Sequence, residues 1–277
     1  MTTTKGGWDL PISERELTSL TREMEQAHRE TLPLLHASAV DLTDEIRSRR
    51  AAADGGAGAF DAGRRRFLFG TGGAAAALVL AACSSSTSDS KSSASPSASA
   101  TSGSAAAAGQ YTGDLKVVAL ATALENQAVG AYQAALDAAT AGKLGTVPPA
   151  VANFITTAMA QHADHAKAWN AVLTGAGKPA ITNVPLSNQA EVTAALGKAT
   201  DVGSVAKLAL QLEDQAAQTY LFATYNVTSP AGIATAATIA PVEAMHAAIL
   251  NYVLGQYPVP NDFLPVDKAA SPSLLTV

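Results

Sequence analysis

LEDQAAQTY, from Leu212 to Tyr220, echoes LENQAVGAY, from Leu124 to Tyr132, at an offset of 212 − 124 = 88 positions. Five of the nine positions are identical and a sixth pairs Asp with Asn. Each copy sets one glutamate, Glu125 or Glu213, inside an apolar run. The echo continues downstream. QHADHAKAW (161–169) and VEAMHAAIL (242–250) place His162 opposite Glu243 and His165 opposite His246, both at an offset of 243 − 162 = 81. A duplicated unit therefore carries a lone glutamate first and a pair of polar residues at i and i+3 afterwards.

The segments bearing these residues have helical start and stop signals. The first runs from about Thr112 to Ala141, with Gly142 placed to end it. The second begins near Pro148-Pro149 and ends at Gly175. The third spans about Val202 to Tyr225. The fourth opens on the cap-and-proline pair Ser229-Pro230 and ends near Gly255. At 1.5 Å per residue each is ~35–45 Å long. Short links join the first to the second and the third to the fourth, which makes two antiparallel hairpins. Between the hairpins lie residues 176–201, with a short helix at 188–198, long enough to cross the length of a bundle. The expected fold is all-α, a four-helix bundle with one long crossover between its second and third helices. The proline-rich tail after Gly255 is expected to pack along the bundle surface.

On helical wheels the polar residues fall inside apolar stripes. These are Val118, Ala121, Glu125, Ala128 and Tyr132; Ala158, His162, His165, Trp169 and Val172; Ala206, Ala209, Glu213, Ala216 and Tyr220; and Ile239, Glu243, His246, Leu250 and Val253. Three ionised glutamates in one core cost several kcal/mol each when unpaired. No arginine follows Arg66, and no lysine lies on these stripes. The counter-charge is expected from divalent metal ions, which would also deprotonate and hold the ligands.

This pattern resembles the ferritin-like di-iron and di-manganese carboxylate proteins, which place one Glu on each of two helices and Glu-x-x-His on each of the other two. Glu125 and Glu213 match the lone glutamates, and Glu243-Ala-Met-His246 matches one Glu-x-x-His in full. His162-Ala-Asp-His165 matches the other only at its histidine. The resemblance covers about residues 110–255. It implies a metal site of Glu125, His162, His165, Glu213, Glu243 and His246 that holds iron or manganese, as two ions or one. Its implied chemistry is oxidation of ferrous iron, or reduction of oxygen or peroxide. Imidazole at position 162 removes a negative charge and a bridging option. That departure favours the alternative, a non-catalytic metal-binding or structural protein. Tyr132 and Tyr220, two turns after their glutamates, are either redox-active, donors to the ligands, or core packing. Asn126 and Asp214, matched across the repeat, either orient ligand histidines on a neighbouring helix or sit at the polar edge. Pro241 is expected to kink the fourth helix near the site.

Residues 1–63 are polar and charged and read as a cytosolic extension. Leu17, Leu20, Met24 and Ala27 recur there at helical spacing, as on a solvated or partner-binding amphipathic helix. Residues 64–83 then read RRRFLFGTGGAAAALVLAAC. Arg64, Arg65, Phe67 and Leu68 resemble the core of a twin-arginine export signal, and Leu80-Ala81-Ala82-Cys83 resembles a lipobox. Both resemblances imply passage through the twin-arginine machinery, lipidation at Cys83 and anchoring on the extracytoplasmic face of a membrane. Residues 84–109, rich in Ser and Ala, hold too little apolar surface to order themselves and read as a tether ahead of the domain at 110–277. A net charge of −5, with no basic patch beyond the signal, excludes a nucleic-acid partner, and one cysteine excludes an intrachain disulfide.

Overall fold

The computed structural model of the chain describes residues 9–54, 109–259 and 265–277. The expected signal at 64–83, with Arg64, Arg65, Phe67, Leu68 and Cys83, and almost all of the expected tether lie outside the described residues. The chain divides into two compact units, Met1–Arg47 with Ala106–Val277, and Ser48–Ala105. Of the second, only Ser48–Asp54 is described, as the end of a helix.

Six α-helices and no strand occur among the described residues: α1 (Glu14–Asp54), α2 (Asp114–Thr140), α3 (Pro149–Gly175), α4 (Gln189–Gly197), α5 (Val202–Asn226) and α6 (Pro230–Val253). The expected all-α fold is the observed one. The two hairpins pair α2 with α3 and α5 with α6, and α2 also packs on α5. Local chemistry sets the ends. Gly142, at φ 70°, takes the left-handed conformation that closes α2. Asp201 and Ser204 form a reciprocal capping box at the start of α5, and Ser229 Oγ accepts the Gly232 N–H at the start of α6. Helix α6 runs unbroken through Pro241. By length and composition α6 is apolar enough to cross a membrane, yet half of its most apolar stretch is buried in the bundle.

The crossover from Ala176 to Asp201 carries α4. The tail packs as the sequence suggests. Lys268 N–H donates to Gln218 Oε1 at 2.7 Å and Ala270 N–H to Thr219 Oγ1 at 2.8 Å, both on α5. Ser187 and Thr276 then exchange backbone bonds with Leu274 and Pro185 across an isolated antiparallel bridge, Leu186 with Leu275.

Helix α1 departs from the expectation of a solvated extension: it is a fifth helix docked on the bundle. Its contacts define its direction. Ala150 N–H meets Glu14 Oε2 at 3.3 Å, Gln161 Nε2 donates to Glu25 Oε2 at 2.8 Å, and Arg47 Nε donates to the Gly175 carbonyl at 2.8 Å. So α1 runs parallel to α3. Thr235 Oγ1 meets Ser38 Oγ at 2.8 Å, and Ser229 Oγ bonds Glu45, so α1 runs antiparallel to α6. It therefore fills the seam between the two helices that carry the histidines. Close approach is built in at Gly175, where a Cβ would come within 2.5 Å of Thr43 Cγ2.

The core has two apolar clusters. One holds Leu35, Leu42, Leu115, Trp169, Val172, Val227 and Ile239; the other holds Leu17, Met24, Phe154, Ile155, Val202, Leu250 and Val253. Helix α1 contributes to both, and between its two sets sits His28, 2% exposed. Other polar side chains are buried at the same level of the bundle.

Candidate metal centre

Glu125 on α2, His162 and His165 on α3, Glu213 on α5, and Glu243 and His246 on α6 are each at most 2% exposed. All six meet. His162 lies centrally, with Nδ1 at 2.7 Å from Glu125 Oε2 and Nε2 at 3.0 Å from Glu213 Oε1. His165 Nδ1 is 2.9 Å from Glu243 Oε1 and 3.6 Å from Glu125 Oε1. His246 Nδ1 is 3.2 Å from both Glu213 Oε2 and Glu243 Oε2. Two overlapping quartets result: Glu125, His162, His165 and Glu243, and His162, Glu213, Glu243 and His246. Within each, one ligand atom per residue lies within 4.8 Å of the others. His162 and Glu243 belong to both. The side chains fit a metal ion by donor chemistry, since carboxylate with imidazole suits iron, manganese or zinc. They also fit by their unused atoms. His165 Nδ1 and Glu243 Oε1 are buried 2.9 Å apart without the alignment of a hydrogen bond, and neither has a hydrogen-bond partner elsewhere.

The tyrosines of the repeated phrase act crosswise. Tyr132, on the helix of Glu125, donates to Glu213 Oε1, while Tyr220, on the helix of Glu213, donates to Glu125 Oε1. Trp169 Nε1 donates in turn to Tyr220 Oη at 2.9 Å. Each half of the duplication thus holds the glutamate of the other half. Burial and the neighbouring carboxylates push both phenols well above their ordinary pKa, so they stay donors.

Burial alone would raise the carboxyls and lower the imidazoles, but the opposite charges outweigh it. Glu125 is lowered to about 2, chiefly by His165 and His162, and Glu213 well below the usual range by His162 and His246. Against the same burial, Glu243 and Glu213 hold His162 well above its ordinary value, Glu125 lifts His165 to about 9, and Glu213 raises His246. The sequence reading assigned the counter-charge to metal ions alone. The raised imidazoles can carry part of it as well, so protons and metal ions compete for the same nitrogens.

Two residues reach this site that the stripes did not flag. Gln161 is 1% exposed; its Oε1 accepts from His246 Nε2 at 2.8 Å and its Nε2 donates to Glu25 on α1. That bond fixes the proton of His246 on Nε2 and turns Nδ1 toward the carboxylates. Its position about 100° from His162 on the wheel suits this reach to α6. His28 of α1 lies with its ring 5.3 Å from that of His165, edge to face, and its Nε2 has no hydrogen-bond partner. Burial and the charge on His165 lower it to about 4, so it stays neutral. Asn126 and Asp214 serve other partners than the ligand histidines. Asn126 Nδ2 donates to the carbonyls of Ile181 and Asn183 in the crossover, and Asp214 pairs with Lys268 of the tail at 2.9 Å. Both face outward from α2 and α5, one residue past the glutamates.

Residues 113–256 match the family model of the ferritin-like domain, which spans the four bundle helices and every candidate ligand. The chain belongs to the ferritin-like domain family. Helix α1 lies outside the matched range. Neither the search of curated proteins nor that of solved structures finds a match to this chain.

Proposed function

We propose that this chain is an exported, membrane-tethered metalloprotein whose Glu/His centre binds iron or manganese and oxidises ferrous iron or reduces oxygen or peroxide. One observation carries the reading: six ligand-type side chains form two overlapping quartets in a buried core, with His165 Nδ1 and Glu243 Oε1 left without hydrogen-bond partners. The bound ion would supply one-electron chemistry. The chain's own part is to hold the ligands. Tyr132 and Tyr220 clamp Glu213 and Glu125, Gln161 sets the His246 tautomer, and in the uncleaved chain α1 closes the α3/α6 seam against bulk water.

The two quartets are unequal in what they can hold together. A carboxylate can serve two ions at once, whereas a neutral imidazole has one lone pair. His162 can therefore complete one quartet and only hydrogen-bond within the other. One tightly held ion per chain, with a weak second position, follows from this. The non-catalytic alternative draws on the same residue and on the balance of three histidines against three glutamates. Anaerobic addition of ferrous iron to chelator-stripped protein, followed by air, separates the two readings. Uptake with accelerated iron oxidation or oxygen consumption supports redox function. Uptake without either supports a metal-binding or structural role.

Location is carried by the sequence at 64–83. Lipidation at Cys83 would part residues 1–82, α1 included, from the bundle and leave a tethered domain. A lone acyl chain anchors only marginally, so several are needed for stable attachment. Cys83→Ala should release the protein to the medium or stall its processing. Unchanged mass and membrane attachment would reject the anchor.

A further inference from the structure

The repeated phrase conserves more than its glutamates and tyrosines. Leu124 and Leu212, Gln127 and Gln215, and Ala128 and Ala216 also match at the offset of 88. None of them touches the quartets through a hydrogen bond, yet all six line one cavity of about 20 Å³ between α2 and α5, and its floor is Glu125 and His162. A second void of about 10 Å³ in the same seam, lined by Ala128, Leu212 and Leu196, reaches Glu213. The seam is thin because of its alanines. Ala209 and Ala216, on the inward stripe of α5, are only part-buried, as are Leu124, Leu212 and Gln215. On the opposite side, α1 covers the α3/α6 seam with Leu17, Met24, His28, Leu35 and Leu42. The centre is thus sealed on one face and separated from solvent on the other by a few small or part-exposed side chains.

We propose that the Leu, Gln and Ala positions of the two phrases form the port by which a divalent cation reaches Glu125 and His162, an inference that rests on the reading of the centre as a metal site. Size and chemistry select the ligand class. A cavity of about 20 Å³ holds roughly one water, since about 10–15 Å³ is needed for each. That admits a cation stripped of most of its water and excludes an organic substrate. The wall offers the amide oxygens of Gln127 and Gln215, no lysine or arginine, and a carboxylate at its end. Amide and carboxylate oxygens can replace lost hydration water on a cation, whereas an anion would find no lysine or arginine and would face the Glu125 carboxylate. Gln127 is held in place from the crossover, its Nε2 donating to Gln189 Oε1 at 2.9 Å and Asn188 Oδ1 at 3.3 Å. One wall of the port is therefore fixed by α4, and the other, Leu212 and Gln215, is part-exposed.

The test is the rate of cobalt(II) uptake by chelator-stripped full-length protein, followed by stopped-flow absorption of the bound ion. Ala216→Phe, at a part-exposed position, plugs the port and should slow uptake about tenfold or more, a barrier rise of roughly 1.4 kcal/mol. Leu212→Ala opens it and should speed uptake. Both should reach the stoichiometry and final spectrum of the unaltered protein, which a folding defect would not preserve. Ala134→Phe, exposed on α2 outside the port, should load at the original rate. If Ala216→Phe fails to fold, Leu212→Ala alone decides the matter by its opposite direction. Unchanged uptake rates with an unchanged end point overturn the port and leave the metal centre standing. No cobalt uptake by the unaltered protein overturns both.

Discussion

Replacing Gln161 by leucine removes one side chain of similar size from the junction of α1, α3 and α6. Gln161 is 1% exposed, and its amide accepts from His246 Nε2 at 2.8 Å and donates to Glu25 at 2.8 Å. Leucine fills the space but leaves the buried His246 N–H without an acceptor, a loss of about 1–3 kcal/mol in the metal-free protein. The effect on metal is more diagnostic. His246 presents Nδ1 to the carboxylates only while Nε2 keeps its proton, and outer partners of ligand histidines are worth roughly 10–100-fold in metal affinity. Gln161→Leu should therefore raise the metal dissociation constant by about that factor. Glu25→Ala should have a smaller effect, because the acceptor facing His246 remains. Competition against a chromophoric chelator measures both constants, and urea denaturation in the absence of metal measures the first loss. Gln161→Leu protein that binds metal as tightly as the unaltered chain would refute the assignment of Nδ1 as the ligand atom of His246.

Three further outcomes follow from the same geometry. In chelator-treated protein the raised His165, at about 9, stabilises the fold fully below about pH 6.5 and loses that contribution as pH rises through about 9. Glu125, at about 2, contributes above about pH 4.5 and loses its share as pH falls toward 2. Melting temperature by circular dichroism should thus be highest between about pH 4.5 and 6.5 and fall toward pH 9; a flat profile from pH 5 to 9 would count against the ion-paired centre. Bound metal needs unprotonated rings, so the melting temperature gained on adding metal should grow with pH over that range, and a gain that shrinks would count against imidazole ligation. Leu42→Ala, at a fully buried site where α1 meets the bundle near Gly232, should cost about 2–5 kcal/mol in urea unfolding, and a cost near zero would mean that α1 is undocked in solution.

The bundle was legible in the sequence because every helix announced itself twice, once by period and once by its ends. Gly142, Ser229-Pro230 and Pro148-Pro149 mark observed boundaries to within two residues. The six polar residues were legible because each interrupts an apolar stripe, and a duplicated pattern cannot arise from isolated core histidines. Three features were hidden. The docking of α1 was hidden because the flagged stripe stopped at Ala27, whereas burial continues through Leu35, Ser38, Ala39, Leu42 and Thr43. Many charged residues on the remaining faces make the whole read as solvated. Gln161 was hidden because it lies off its own helix's stripe and acts on a neighbour, which period alone does not reveal. The charge balance was hidden because histidine was counted only as a neutral ligand, and its protonation depends on carboxylates brought from three other helices. Asn126 and Asp214 show the converse. Their match across the repeat is real, yet it serves the crossover and the tail.

The most direct measurement is the metal content of the protein as purified from its native compartment, for the unaltered chain and for His162→Glu, by elemental analysis per chain. The unaltered protein should carry iron or manganese at about one ion per chain, and His162→Glu, which restores a carboxylate able to serve both quartets, should rise toward two. Protein free of transition metal, with none gained by His162→Glu, would mean that Glu125, His162, His165, Glu213, Glu243 and His246 form an ion-paired core and no metal centre.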